Sequence, residues 1–552
     1  MAMTASTITH DASSLQPLTT SRRRSPLTAL VRRAFADART RTIAFAYVFA
    51  AYGWLQAKGY HSAYPTLADR MAFARTFAGN DAIRLFYGYP YDVVTIGGYA
   101  AWRVGGTLAL AAAAFGVLAA VRALRTEEEA GRAEIVLAGT VSRMIAFTSS
   151  MIAIALGVAI LWAAELVGFL IGGLPFGGSA YLALATASVV VVFVGIGAVA
   201  SQLASSRRTA LALGIGAAAL FWLLRVVSDI VGGAEWVRWV TPLGWAEELR
   251  PFAGPHPLIL VLPAVATVPL LLVAARMSRT RDVGTGLVPT KDTARPSSRL
   301  LSSPTALALR RQRGVLAAWV LGIAAFAVVL GAISTSVSAA GISSKLQKEF
   351  AKFGSGSIVT PVGYLSFVFI VFIFAMCLFA CSQMGFARQE EADQQLETLL
   401  AQPTSRYRWL GGRLLLAAVA VCFLAGLGGL VAWAGSASQG VAVSLPQLLE
   451  AGANCIPISL MVLGVAALIY SVLPRASSAI SYSLVTVMFL WYLVGSLLGV
   501  PQWLVDLTPF RHIGLVPTQS FEVEAALVMV AVGVAAATAA LVCFRRRDLL
   551  GY

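Results

Sequence analysis

The sequence predicts an all-α integral membrane protein with about twelve transmembrane helices, arranged as two parallel six-helix repeats. Of its 552 residues, 58% are hydrophobic and only 12% are charged, with a mean hydropathy of +0.77. The apolar residues occur in blocks long enough to cross a hydrocarbon core of about 30 Å. Similar motifs occur in the same order in both halves of the chain. Because backbone groups find no water in lipid, each apolar block must be helical.

The apolar blocks define the predicted spans and domains. In the first half the spans cover residues 42–58, 95–122, 144–171, 178–203, 209–231 and 256–275, and in the second half 314–336, 362–387, 408–434, 447–473, 478–499 and 522–544. The predicted domains are a disordered cytoplasmic tail (1–22), a first six-helix half (23–275), a cytoplasmic linker (276–303) and a second six-helix half (304–552). The linker is charged and rich in Ser, Thr and Pro.

The net charge of +16 comes largely from arginines beside the ends of the apolar blocks. Arg32 and Arg33 precede the first block, for example, and Arg545 and Arg546 follow the last. This distribution is typical of cytoplasmic segments, so both termini and the linker are predicted to be cytoplasmic. It argues against a nucleic-acid-binding surface, which would need a continuous basic face.

A helix-start motif precedes the first span of each half. Ser25-Pro26 is followed by Arg32 and Arg33, and Ser303-Pro304 is followed by Arg310 and Arg311. Serine before proline is a helix-start signal. Apolar residues share one face of the segment after Pro26, which predicts an amphipathic helix on the inner membrane surface.

The strongest internal match follows the second span of each half. Residues 125–143 (RTEEEAGRAEIVLAGTVSR), the first duplicated loop, align without gaps with residues 388–406 (RQEEADQQLETLLAQPTSR), the second duplicated loop. Eight of the nineteen positions are identical. Weaker matches are Trp-Thr-Pro at 236, 241 and 242 against 503, 508 and 509, and Arg281-Asp282 against Arg547-Asp548. An even number of spans per half makes the repeats parallel.

Each duplicated loop is acidic and amphipathic. Thr126 with Glu129 has the pattern of a capping box, which predicts that a short helix starts there. One interpretation is an interfacial helix with a solvated acidic face. The duplication favours a protein-docking surface instead.

The pattern E-E followed by L-E-x-L-L-A-x-P-x-S-R resembles the cytoplasmic loop of the type-2 permeases of ATP-binding cassette exporters. The whole chain looks like two such subunits fused, similar to the twelve-span permeases of actinobacterial tetronasin-type and multidrug exporters. The resemblance implies docking of two separate ATP-binding cassette subunits, which would carry the ATP and magnesium. The docking residues it implies are Glu127, Glu128, Glu134 and Arg143 in the first half, and Glu390, Glu391, Glu397, Pro403 and Arg406 in the second. Half one has Thr140 at the proline position, and half two has Gln394 opposite Gly131.

No catalytic or cofactor site is expected on this chain. It contains no G-x-x-x-x-G-K-[ST] phosphate loop, so ATP hydrolysis is expected on a separate partner chain. Its five cysteines lack C-x-x-C spacing and are expected to be core residues rather than metal ligands.

Several residues within spans are candidates for contact with substrate. Glu165 is an acid in the third span, where ionisable residues are costly; we expect either a structural pair with Arg103 or Arg225, or contact with a cationic substrate. Arg225 can also pair with Asp229, four residues on. In the eighth span Phe372, Met376 and Phe379 share a face, and Met488 and Trp491 lie in the eleventh. Such stripes indicate either ordinary packing or an adaptable wall for bulky apolar compounds. The second interpretation arises because the resemblance implies that spans two, five, eight and eleven line the substrate path.

The favoured function is therefore the permease subunit of an ATP-driven exporter of hydrophobic compounds, such as drugs or an antibiotic. The resemblance places it in the bacterial plasma (inner) membrane as a multi-pass protein. The alternatives are an ATP-driven lipid or glycan exporter, and a secondary transporter driven by an ion gradient. The duplicated glutamate-rich loops argue against a secondary transporter.

Overall fold

The computed structural model describes residues 25–77, 84, 87–139, 141–230, 233–287, 300–339, 360–495, 503 and 506–548. These residues form helices and turns, with no strand in those ranges. The predicted tail, and the linker from 288 to 299, lie outside them. Twelve long helices match the predicted spans: α1 (Pro26–Ala63), α2 (Ile96–Glu129), α3 (Arg143–Ile171), α4 (Phe176–Leu203), α5 (Arg207–Ile230), α6 (Val261–Thr280), α7 (Pro304–Ala339), α8 (Pro361–Ala392), α9 (Arg406–Ala437), α10 (Leu445–Val472), α11 (Ser477–Gly495) and α12 (Val523–Arg546).

The lengths and compositions of these helices confirm the membrane-protein fold class. In the described ranges, ten helices are long and apolar enough to cross a membrane. The other two are α1, which has 38 residues, and α11, whose apolar stretch is Ser477–Tyr492. At 1.5 Å per residue, α1 is long enough for a hydrocarbon core of about 30 Å and more.

The predicted start signals cap α1 and α7. The Thr28 amide donates to Ser25 Oγ at 3.3 Å, and the Ala306 amide donates to Ser303 Oγ at 3.1 Å. The amphipathic segment after Pro26 is helical as expected. It is not a separate helix, however, because the chain continues without a break into the first span.

Helices α1 and α3, and their equivalents α7 and α9, cross at glycines. A Cβ atom on Gly168 would lie 2.2 Å from the Ala50 carbonyl oxygen, and one on Gly435 would lie 2.7 Å from that of Val328. Small residues allow such close crossings in membranes, where packing rather than the hydrophobic effect holds helices together. The same crossing therefore occurs in both halves.

The described helices form two compact units. The first contains residues 25–55, 107–225 and 236–287, and the second contains the other described residues. Residues 56–106 of the first half therefore belong to the second unit. They contribute an aromatic cluster in which the rings of Tyr60 and Tyr99 stack at 3.8 Å, and Tyr364 from α8 packs against this cluster.

Candidate functional site

The two duplicated loops follow the same backbone path. Each leaves a long helix through a residue in the left-handed region, Gly131 at φ 68° and Gln394 at φ 58°. A six-residue helix follows in each, Arg132–Leu137 and Gln395–Leu400. Ser142 and Ser405 then cap α3 and α9 by accepting bonds of 3.2 Å from backbone amides. The difference between Gly131 and Gln394 therefore does not change the turn.

The predicted capping box at Thr126 and Glu129 is wrong. Helix α2 does not end before the loop: it continues through a π-helical turn, Arg122–Thr126, into Glu127–Glu129. Thr126 has helical dihedral angles and makes no side-chain cap bond. Because the chain is already helical at this point, no free amide is available for Thr126 to cap.

Glu128, a predicted docking residue, forms ion pairs inside the first unit. Its Oε2 accepts from Arg125 at 2.9 Å, and its Oε1 accepts from Arg281 at 2.5 Å. Arg125 is 1% exposed and also donates to carbonyl groups of Ser205, Gly284 and Thr285. Glu128 thus connects the end of α2 to the segment that follows α6.

Glu391 makes the equivalent connection in the second unit. Its Oε1 accepts from Arg547 at 2.5 Å, and Tyr470 donates its hydroxyl to Oε2 at 2.7 Å. The side chain of Glu391 is only 2% exposed. A carboxylate this deeply buried must be paired and hydrogen-bonded to be tolerated. Glu391 thus connects the end of α8 to the segment that follows α12.

The preceding glutamates contact the start of each half. Glu127 lies 4.0 Å from Arg33 and pairs with Arg132 at 2.5 Å. Glu390 lies 3.7 Å from Arg311 and pairs with Arg413 of α9. The hydrogen bond that Arg132 donates to Glu127 raises the pKa of the exposed Arg132 guanidinium.

The arginines that end the two loop motifs hold the ends of α6 and α12. Arg143 donates to the Arg281 carbonyl, and Arg406 donates to the Phe544, Arg545 and Arg547 carbonyls. These are groups at or just beyond the C-terminal end of a helix, which favour a cation. Both loop arginines are therefore fixed within their own units.

Three of the four sequence matches thus assemble into one ion-pair cluster in each half. The first cluster consists of Arg33, Glu127, Glu128, Arg143 and Arg281, and the second of Arg311, Glu390, Glu391, Arg406 and Arg547. The matches are recognisable in the sequence, but the pairing between them is not. The available signal was that residues of opposite charge are duplicated at equivalent positions.

Other loop residues face outward. Glu134, Glu397 and Pro403 are exposed, and Ile135, beside Glu134, is 77% exposed. The predicted docking set is therefore divided: six of its nine members form internal bonds, and three lie on the outer surface of the loops. An isoleucine this exposed beside an acid is suited to contact with another molecule.

Glu165 in α3 contacts a hydroxyl group. Its side chain is 1% exposed, and Thr186 of α4 donates to its Oε1 at 3.0 Å. Arg225 pairs instead with Glu247 of the short helix Pro242–Glu248, at 3.1 Å, and the guanidinium of Arg103 lies 3.9 Å from the ring centre of Tyr87. Neither predicted arginine partner thus accounts for the burial of Glu165.

The aromatic stripe of α8 is packed inside the second unit. Phe372, Met376 and Phe379 are at most 3% exposed. Phe372 occupies the space that a side chain at Gly428 would need, and Phe379 contacts Trp319 edge to face at 5.4 Å. Met488 and Trp491 of α11 are half-buried. Packing accounts for the three α8 residues in this conformation, and their predicted role in a substrate path remains a prediction.

The Trp-Thr-Pro loops begin with similar turns. Thr241 caps the helix Pro242–Glu248 by accepting from Gly244 at 2.8 Å, and Thr508 precedes the 3₁₀ turn Pro509–His512. Trp236 and Trp503 are 67% and 65% exposed. A short helix thus forms in the first half, and a single turn takes its place in the second.

Metal ligands do not cluster in the part of the chain that the structure describes. No group of three or more His, Cys, Asp or Glu side chains could hold a metal ion there. The five cysteines are free: three are buried, as expected of core residues, whereas Cys422 is exposed and Cys543 is half-buried.

Comparison with known proteins agrees with the repeat. A family model described as "Multidrug efflux system permease Rv1217c, C-terminal domain" matches residues 34–278 and again residues 301–545. The chain is 29% identical over 491 residues to the multidrug efflux system permease protein Rv1217c of Mycobacterium tuberculosis (strain ATCC 25618 / H37Rv), covering 88% of each chain. The resemblance to twelve-span exporter permeases is thereby confirmed. The chain belongs to the family of multidrug efflux system permeases that this model describes, and it contains two copies of the family's domain.

Proposed function

We propose that this protein is the membrane subunit of an ATP-driven exporter of hydrophobic compounds, and that its duplicated loops receive the movement of two separate ATP-binding subunits. ATP and magnesium would be bound by those subunits. Transport would take place across a bacterial plasma membrane, with both termini of this chain in the cytoplasm. The exported compounds would be drugs, in keeping with the relative's name, or an antibiotic.

The two-sided structure of the loops supports this proposal most directly. On one side, Glu128 and Glu391 connect each loop to the end of the sixth helix of its half. On the other side, Glu134 and Glu397 are exposed on short helices that a partner could contact. A force on the exposed side would therefore be passed to two transmembrane helices of each half at once.

The test is co-purification with ATP-binding cassette subunits co-expressed from the same genome, with the exposed acids of this chain reversed by Glu134→Lys and Glu397→Lys. We expect the double variant to lose bound ATPase, because a like-charge contact across an interface is strongly unfavourable. A matched control reverses two exposed acids elsewhere, Glu450→Lys and Glu524→Lys. The control should retain both the complex and its ATPase activity.

The opposite result would favour an ion-gradient carrier. In that case no ATPase would accompany the unmodified chain, and the two reversals would leave export unchanged. Export in cells would then stop with a protonophore and continue during ATP depletion. Unchanged export in the two reversal variants, or export that continues during ATP depletion, would contradict the proposed role of the duplicated loops.

A further inference from the structure

A cavity of about 590 Å³ lies in the first unit, lined mainly by α1, the end of α2, the first duplicated loop and α3. Part of its wall is apolar and aromatic, with Phe45, Phe115 and Phe147 among the lining residues. The remainder of the wall carries charged side chains from the start of α1 and the end of α2. The cavity therefore combines an apolar compartment with a charged one, and its volume lies in the range of small-molecule sites.

The charged part of the cavity has two cations beyond those in the ion-pair cluster. Glu127 and Glu128 are paired with Arg132 and Arg281. Arg41 and Arg122 also line the cavity, and in the described part of the chain neither makes an ion pair. Asp37, the remaining carboxylate among the lining residues, interacts electrostatically with Arg132.

The surroundings of Arg122 are cationic. The charged groups that act on its guanidinium are two more guanidiniums, those of Arg41 and Arg207. Like charges brought together repel one another unless an anion lies between them. The arrangement is therefore complementary to a negatively charged group in the cavity beside Arg41 and Arg122.

The second half shows that the fold does not require these cations. Arg41 lies eight residues after Arg33, and the residue eight after Arg311 is Trp319. Arg122 lies six residues before Glu128, and the residue six before Glu391 is Gly385. Trp319 packs against Phe379 there. The ion-pair cluster is common to both halves, whereas the two additional arginines are specific to the first.

We propose that this cavity binds an anionic membrane phospholipid, with its phosphate beside Arg41 and Arg122 and an acyl chain along Phe45, Phe115 and Phe147. The apolar part of the wall distinguishes this ligand from a free anion, which would leave the space beside Phe45, Phe115 and Phe147 unfilled. Basic residues near the surface of an anionic membrane each contribute about 1 kcal/mol to such binding.

The experiment measures lipid binding to the purified full chain by native mass spectrometry, titrating phosphatidylglycerol, phosphatidylcholine or inorganic phosphate. We expect phosphatidylglycerol to bind in preference to both other probes. The double variant Arg41→Gln/Arg122→Gln should weaken this binding about 30-fold, which corresponds to about 2 kcal/mol at 1.4 kcal/mol per tenfold. Arg39→Gln/Arg208→Gln is the matched control, since both arginines are exposed and neither lines the cavity.

A second variant tests the apolar compartment with both arginines retained. Ala119 lines the cavity, and Ala119→Phe should obstruct the acyl chain and also abolish binding of phosphatidylglycerol. This variant decides the question if the double glutamine variant fails to fold. Equal binding of phosphatidylglycerol by the variants and the unmodified chain would overturn the proposal. Equal binding of phosphatidylcholine, or binding of inorganic phosphate that Ala119→Phe leaves unchanged, would also overturn it.

Discussion

The buried pair between Glu391 and Arg547 allows a quantitative test of the ion-pair cluster. The side chains are 2% and 14% exposed, so removal of one partner leaves the other charge largely without solvent. Breaking such a buried pair costs about 3–5 kcal/mol. In Glu391→Gln the Tyr470 hydroxyl still has an acceptor, whereas Arg547 loses its anion. We therefore expect the free energy of unfolding to fall by roughly that amount.

The assay is unfolding of the purified chain by SDS titration in mixed micelles, for Glu391→Gln, Arg547→Gln and the double variant. The two residues are in direct contact, so their effects should be coupled by about 0.5–3 kcal/mol. Glu397→Gln is the control, because this exposed residue lies in the same loop and should change stability by less than about 0.5 kcal/mol. Additive effects of the two substitutions, or a loss under about 1 kcal/mol for Glu391→Gln, would refute the inference that this pair holds the loop to α12.

Two further predictions concern the loop turn and the α8 stripe. Gln394→Gly should stabilise the protein and Gly131→Ala should destabilise it, each by about 1 kcal/mol, because both positions have positive φ, which side chains with a Cβ disfavour. A Cβ on Gly131 would meet no atom within 4 Å, so the effect there comes from the backbone conformation alone. The same SDS titration measures both variants, and an unchanged stability in both would contradict the described turn. Phe372→Ala should cost about 3–5 kcal/mol of unfolding free energy because the side chain is 3% exposed, whereas Phe423→Ala, at a 59% exposed position of α9, should cost far less. Retained stability together with altered export in Phe372→Ala would instead place this residue in the substrate path.

The fold could be predicted from the sequence because a bilayer imposes a simple rule. Each span must be apolar over its length and must satisfy its own backbone, so α2 at Ile96–Glu129 and α8 at Pro361–Ala392 were predicted to within several residues. The end of α2 was not predicted. A capping box describes a helix that begins at Thr126, but the sequence pattern is the same when a helix simply continues through a π-helical turn.

The partners of the loop acids could not be predicted from local spacing. Glu128 and Arg281 are separated by 153 residues, and Glu391 and Arg547 by 156 residues. Rules for helical spacing relate residues only three or four positions apart. They can relate Arg225 to Asp229, four residues on, but they give no indication of Glu247, 22 residues away, which accepts a hydrogen bond from Arg225. The duplication was the one long-range signal in the sequence.

Residues 56–106 come from the first half of the chain but belong to the second unit, which has a consequence for how this fused chain could have evolved. Each ion-pair cluster is built only from its own half, so a six-helix ancestor could have formed it before the gene duplicated and fused. The aromatic cluster around Tyr60 and Tyr99 is different, because it packs against Tyr364 from the other half. An isolated first half would leave exposed the part of this cluster that Tyr364 covers. Separating the gene into two chains would therefore preserve both clusters of charge while making the first product dependent on the second.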